Sequence, residues 1–423
     1  IQGPPGGAGV PAVQAPVPLD YLRWRDEGTP AAGTFEGWPK TLAEFTLLDP
    51  CCGSGHFLVA AFRLLVPLRM HDEGIPVRDA CEAVLRENLF GLELDPRCTQ
   101  IAAFALALAA WTYPGDDGQP LGHWDLPQLN IACSGQGVVG SKEDWTRFAN
   151  GDSKTREGME RLYDLFRRAP TLGSLIDPRA EVGDLFALGF QTLRGTVERT
   201  LKKAEAQADP DRAALGVAAQ GIAFAASLMA REFTLVATNV PYLARGKQAS
   251  REKESDPEDL RDLLERQFPL GKADLATAFV ERCLEYCAPG GSTALVTPQS
   301  WLFLGSYKGL REWLLRQVTW NVVAKLGPGA FETISGEVVN VALLIQTSRS
   351  PSPRHEFIGV EASQPRVPDE KARLLRTDEI KTLLQTGQMQ NPDARVILNA
   401  PGSEVLLDSF SRTSTQDAEK FAD

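Results

Sequence analysis

The stretch Phe45-Thr46-Leu47-Leu48-Asp49-Pro50-Cys51-Cys52-Gly53-Ser54-Gly55-His56-Phe57-Leu58 decides the fold class. Its apolar start, residues 45–48, reads as a short buried strand, and residues 56–70 carry apolar side chains at helical spacing. Between them lie an acid and a glycine-bearing turn with no room for a longer loop. A strand ending in an acid and a glycine turn, followed at once by a helix, offers backbone N–H groups and small residues to a nucleotide-like ligand. Glycine serves ordinary tight turns equally well, so the turn alone does not name a ligand. It is neither Gly-x-Gly-x-x-Gly nor a phosphate loop ending in Gly-Lys-Ser or Gly-Lys-Thr, which counts against a dehydrogenase or an ATPase.

The same alternation continues outward. Residues 77–88 read as helix, 89–94 as a strand ending in Gly91-Leu92-Glu93-Leu94-Asp95-Pro96, and 97–111 as helix. Alternating strands and helices imply an α/β fold with a mostly parallel sheet. Residues 112–180 lose periodicity and gather Gly, Pro, Asp and Trp, and they are expected to be a helical or irregular insertion of no readable function. Residues 192–230 return to helix, 233–238 form a strand, 275–287 a helix, 292–297 a strand, 307–317 a helix, and 320–326 and 338–346 two further strands. The expected organisation is an N-terminal arm or the end of an upstream region over 1–44, a catalytic domain over 45–347, and a linker with the start of a target-recognition or C-terminal region over 348–423.

Composition narrows the function classes. The 423 residues are 43% hydrophobic and 23% charged, which suits a globular chain with a sizeable core. The chain opens on Ile1 with a Gly- and Pro-rich run and no signal-peptide pattern, and is expected to be part of something longer. Seven Cys and four His lie in no metal-ligand spacing, so no metal and a reduced, cytoplasmic protein are expected. The apolar stretches 101–111 and 213–230 fall short of a membrane span and read as buried helices. A net charge of −11 argues against a protein that coats nucleic acid through a basic surface. Arg245, Lys247, Arg251 and Lys253 make one local basic concentration, which Glu252 and Glu254 dilute.

Two places carry chemistry. Glu93, at the tip of the second strand, is placed to accept bonds from both hydroxyls of a ribose, whereas Asp95 before Pro96 has the pattern of a helix N-cap. Asp184, in Val182-Gly183-Asp184-Leu185-Phe186, follows a short extended stretch and is a candidate acceptor for an adenine amino group. The run Phe233-Thr234-Leu235-Val236-Ala237-Thr238-Asn239-Val240-Pro241-Tyr242 delivers Asn, Pro and Tyr to the carboxyl end of a strand, where open α/β sheets bind ligands. An amino group conjugated to a ring is a poor nucleophile because its lone pair is delocalised. The Asn239 side-chain oxygen and the Val240 carbonyl are two acceptors for its hydrogens, and Tyr242 offers a ring on which a base lifted from the duplex stacks. Asn and Pro are also ordinary turn residues, and the loop by itself reads equally as a turn.

Taken together, these residues resemble the adenine-N6 DNA methyltransferases of the Asn-Pro-Pro-Tyr class. Asp49 to Phe57 looks like the family's Asp-Pro-x-Cys-Gly-Ser-Gly-x-Phe motif, Gly91 to Pro96 like its ribose-binding strand, and Asn239 to Tyr242 like its catalytic loop. Gly271-Lys272-Ala273-Asp274-Leu275, Pro289-Gly290-Gly291, Val296-Thr297-Pro298 and Gly329-Ala330-Phe331-Glu332 continue the match over about residues 47–346, apart from the insertion. The similarity is strongest to the large adenine methylases of restriction-modification and phage-defence systems such as BREX and DISARM.

The resemblance implies a Rossmann-like methyltransferase fold, S-adenosylmethionine as cofactor, double-stranded DNA as partner, other subunits of a defence complex, and no membrane. It assigns Asp49, Pro50, Cys51, Gly53, Ser54, Gly55, Phe57 and Glu93 to the cofactor, Asp184 to its adenine, and Asn239, Val240, Pro241 and Tyr242 to catalysis. Tyr242 and Phe331 become the walls of the target-base pocket. Val240 departs from the family, which has Pro there: the carbonyl remains but the fixed φ is lost. That departure, with the acidic charge, motivates a second reading as a catalytically weakened cofactor- and DNA-binding subunit. Methylation of glutamine or RNA and nicotinamide-dependent oxidoreduction are further alternatives.

Overall fold

The computed structural model describes residues 16–24, 28–147, 153–179, 195, 210–248, 260–331 and 339–398. Among these, nine strands form one sheet: β1 (Leu47–Asp49), β2 (Leu89–Glu93), β3 (Asn130–Cys133), β4 (Phe233–Asn239), β5 (Cys287–Pro298), β6 (Thr319–Gly327), β7 (Val341–Thr347), β8 (Glu356–Glu361) and β9 (Lys381–Leu384). Their order across the sheet is β3-β2-β1-β4-β5-β7-β6-β8-β9. β1 pairs in parallel with both β2 and β4, and β4 in parallel with β5. β7 runs antiparallel between β5 and β6, β8 is parallel to β6, and β9 is antiparallel to β8. The expected α/β class with a mostly parallel sheet is what the chain forms.

Helices bury both faces because the strands alternate apolar residues toward each. On one side, Leu47, Leu89 and Ala237 meet helices His56–Glu73, Val77–Ala83 and Pro96–Trp111 through Leu58, Phe62, Ala80 and Leu106. On the other, Leu48, Phe90, Val236 and Leu295 meet helices Ser153–Phe166, Pro210–Met229, Leu275–Glu285 and Lys308–Gln317 through Leu162, Ile222, Val280 and Leu314. No described helix is long and apolar enough to cross a membrane.

Two stretches add strands that the sequence does not mark. The stretch expected to be an insertion over 112–180 contains β3, a strand of the main sheet paired in parallel with β2. Four residues, Asn130-Ile131-Ala132-Cys133, are too few to set a period, so the strand is silent in the sequence. Its later helices also fill the core, with Trp145, Met159 and Phe166 fully buried. Residues 348–398, expected to hold a linker and the start of a target-recognition or C-terminal region, extend the sheet by β8 and β9 and add helix Pro368–Thr377. β8 is buried along Phe357-Ile358-Gly359-Val360 and bounded by Glu on both sides, so it shows neither alternation nor a long apolar run.

Residues 32–38 pack at the opposite end of the sheet from the turn that follows β1. Trp38 Nε1 donates to Ser292 Oγ at 3.1 Å, and Asn321 Nδ2 donates to the Ala32 carbonyl at 3.3 Å. Gly37 lies against Gly290, where a Cβ on either residue would come within 2.8 Å of the other's backbone.

Candidate active site

β1 has β2 on one side and β4 on the other, so the chain direction of assembly reverses at the β1–β4 boundary. Open α/β sheets bind ligands in the crevice at such a switch point, outside the carboxyl ends of the strands. The register pairs Leu48 with both Phe90 and Val236, which sets the ends of β1, β2 and β4 side by side. Asp49, Glu93 and Asn239, far apart in sequence, therefore open onto one edge.

The first turn is tightly built. Asp49 is 1% exposed, and its Oδ1 accepts from the Cys51 N–H at 3.2 Å. Burial pushes its carboxyl up to about 7; the nearby Thr238 hydroxyl, short of a well-formed hydrogen bond, and the Cys51 N–H pull it back, while the charge of Glu93 adds to the rise. Gly53 and Gly55 both take positive φ, +52° and +85°. At Gly55 a Cβ would sit 3.1 Å from Ala102, so the close packing of two helices requires glycine there. At Gly53 a Cβ would meet nothing within 4 Å, which leaves the backbone open to an incoming group.

Glu93 ties this turn to the next. One carboxylate oxygen accepts from the Gly53 N–H at 2.7 Å and the other from the Asp95 N–H at 3.0 Å. Each oxygen retains a second lone pair for a ligand hydroxyl. Asp95 caps helix Pro96–Trp111 by accepting from the Arg97 N–H at 2.8 Å, the N-cap role its sequence context implies. The Arg97 side chain and N–H hold its carboxyl down to about 2. Pro50 offers its carbonyl to Ser174 Oγ at 2.7 Å, Cys51 packs partly buried against the core, and Phe57 stands 38% exposed in the first helical turn. Ser54 lies half-buried in the same turn. Asp184 lies outside the described residues.

The second turn follows β4. Asn239 and Pro241 are exposed, Val240 is buried at 2%, and Tyr242 is half-buried. Tyr242 Oη donates to Asn239 Oδ1 at 3.2 Å, so the ring and the amide form one unit. The Val240 N–H donates to the Val296 carbonyl at 3.3 Å and its side chain joins the core, which ties the loop down at the point where Pro is absent.

Asp274 holds the loop from beneath, a role the sequence left unassigned. Its Oδ1 accepts from the Leu243 N–H at 3.3 Å and from the Ala276 N–H at 2.8 Å, so one carboxylate caps helix Leu275–Glu285 and fixes the residue after Tyr242. The Leu275 N–H donates to the Leu243 carbonyl at 3.0 Å. Burial raises the Asp274 carboxyl, and burial with the Asp274 charge pushes the Tyr242 hydroxyl up to about 12. An acid before an apolar helix was the available signal, but it announces only a cap. Phe331 is 40% exposed beyond the end of β6, and no described contact joins it to Tyr242.

The Eco57I restriction-modification methylase family matches residues 87–331, a span that includes Glu93, the Asn239 loop and Phe331. The chain is 32% identical over 329 residues to the adenine-specific methyltransferase BrxX of Escherichia coli O9:H4 (strain HS), covering 72% of this chain and 25% of that protein. It is 25% identical over 319 residues to the adenine-specific methyltransferase PglX of Lacticaseibacillus casei (strain Zhang), covering 72% and 24%. The chain thus spans about a quarter of the length of these curated relatives. Among solved structures, the ATP-dependent type ISP restriction-modification enzyme LlaBIII bound to DNA is similar with a TM-score of 0.46 and 14% identity, over 90% of this chain and 21% of that one. With more than half of its length matched, this chain belongs to the Eco57I restriction-modification methylase family.

Proposed function

We propose that the chain is the catalytic core of a DNA methyltransferase that uses S-adenosylmethionine to methylate the N6 amino group of an adenine flipped out of double-stranded DNA. The observation that carries this reading is the adjacency of the Asp49 and Glu93 turns to the Asn239 loop across the β1–β4 boundary. Names of the relatives, adenine-specific methyltransferases BrxX and PglX, point the same way.

The residues of the first turn fit the cofactor. Gly53 leaves its backbone open, Asp49 presents a buried carboxyl to a cationic ligand, and Glu93 keeps lone pairs for ribose hydroxyls. Asp184 is carried as a partner for the cofactor's adenine. When bound, S-adenosylmethionine supplies an electrophilic methyl group. Asn239 Oδ1 and the Val240 carbonyl accept the two amino hydrogens of the target adenine, which fixes the orientation of its nitrogen and draws it toward tetrahedral geometry. Tyr242 stacks on the base and, through its hydroxyl, keeps the Asn239 amide oxygen facing the site. Phe331 is the proposed second wall, and Pro241 limits the loop's freedom. Double-stranded DNA and further subunits of a defence complex are the proposed partners, and marking self DNA is the proposed role.

Incubation of the full-length protein with methyl-labelled cofactor and unmodified duplex DNA tests this reading, and label in N6-methyladenine is the expected result. A protein that binds the cofactor yet labels no DNA would sink it. Val240 favours a second reading, a weakened cofactor- and DNA-binding subunit, and the turnover measured in that assay separates the two.

A further inference from the structure

Residues 173–175 form a short turn within the stretch whose sequence carried no functional signal. Ser174 is 4% exposed and makes three bonds to distant segments. Its Oγ donates to the Pro50 carbonyl at 2.7 Å, and its own carbonyl accepts from Arg282 Nε at 3.1 Å and from Tyr286 Oη at 2.7 Å. Arg282, wholly buried, also donates to the Ile176 carbonyl at 2.6 Å and pairs with Glu285 at 2.9 Å and Asp177 at 3.5 Å. Gly173 takes φ +50°, and a Cβ there would lie 2.8 Å from Leu94 Cδ1 and 3.2 Å from Ser134 Oγ. Two consecutive residues thus meet the chain one position after Asp49 and one position after Glu93.

The Pro50 carbonyl and the Cys51 N–H belong to one planar peptide unit. Ser174 Oγ holds the oxygen of that unit while its N–H donates to Asp49 Oδ1 at 3.2 Å. Rotating the plane breaks both bonds together. Ser174, its carbonyl held by Arg282 of helix Leu275–Glu285 and by Tyr286 just beyond it, therefore governs through its hydroxyl the donor that faces the Asp49 carboxyl.

We propose that Gly173 and Ser174 are positioning residues that set the relative placement of the two cofactor-binding turns and orient the peptide that holds Asp49. The proposal rests on reading those turns as the S-adenosylmethionine site. The titratable groups around Asp49 are Glu93 and the thiols of Cys51, Cys52 and Cys283, and burial pushes all three thiols up, so none ionises near neutral pH.

Calorimetric titration of full-length Ser174→Ala with S-adenosylmethionine tests it. The Kd is expected to rise about five- to tenfold while the KM for duplex DNA stays within about twofold. The pH at which cofactor binding is half lost is expected to move upward, because Asp49 loses its oriented N–H donor. Tyr286→Phe is expected to act in the same direction more weakly, and the double variant to fall short of additivity. It also serves if Ser174→Ala does not fold. An unchanged Kd and pH midpoint, with only a lower Tm, would overturn the proposal while leaving the cofactor site intact. Failure of the unaltered protein to bind the cofactor would overturn the site reading and this inference with it.

Discussion

At the scale of single residues, the Asn239 to Tyr242 loop joins two kinds of control. Asn239→Ala removes an acceptor that faces the proposed target amino group, and kcat is expected to fall by roughly two to three orders of magnitude with cofactor affinity unchanged in calorimetry. Tyr242→Phe keeps the stacking ring but frees the Asn239 amide, so a smaller loss, about two- to tenfold in kcat, is expected in the same assay. Val240→Pro would install the proline of the Asn-Pro-Pro-Tyr class that the loop resembles and delete the N–H that bonds the Val296 carbonyl at 3.3 Å, so its gain in rate is expected to stay below about tenfold. Asp49 adds a pH dependence. Its folded carboxyl is raised from 3.8 to about 7, so folding takes up a proton in that window and the Asp49 contribution to stability is lost as pH rises through it. A cationic ligand prefers the ionised form, so cofactor affinity is expected to strengthen as pH rises through about 7, and Asp49→Asn to flatten that profile.

At the scale of elements, glycine geometry fixes how helices meet the sheet. Gly55 combines φ +85° with a backbone contact to Ala102 that leaves a Cβ 3.1 Å away. Gly55→Ala is therefore expected to destabilise the fold by about 1–3 kcal/mol in denaturant unfolding and to weaken cofactor binding, since helices His56–Glu73 and Pro96–Trp111 must separate. Motif spacing made the strand, turn and helix around Gly55 legible, as it did for β2 and β4. It marked Asp274 within a matching run but gave it no role: its carboxylate reads in sequence as a cap and in space also holds Leu243.

At the scale of the whole molecule, residues 348–398 continue the one sheet through β8 and β9. Phe357 is fully buried beside Trp320, and Val396 and Leu398 join the main core. Lys371, 2% exposed, donates to the Leu326 and Ala362 carbonyls, and Lys325 donates to the Val396 carbonyl at 2.8 Å. Burial lowers the pKa of both lysines, against the charge of Glu361, which raises it. Ending the chain after Ser348 would bare the β6 edge and leave Lys325 without that acceptor. Such a truncation is expected to aggregate or to lose its cooperative thermal transition, as calorimetric scanning would show; a transition unchanged from the full chain would contradict the single-sheet description.

The sequence by itself determined the α/β class, the succession of strands and helices along the central part of the chain, and the two turns that end β1 and β4. These depend on local signals: apolar periodicity, a Gly-bearing turn, and an Asn-Val-Pro-Tyr run directly after a buried strand. Tertiary structure alone decided that β3, β8 and β9 belong to the sheet, that Tyr242 bonds Asn239, and that Ser174 reaches Pro50 from 124 residues away. Short strands take their stability from neighbours rather than from their own pattern, and a buried hydroxyl carries no mark in sequence of which carbonyl it will meet.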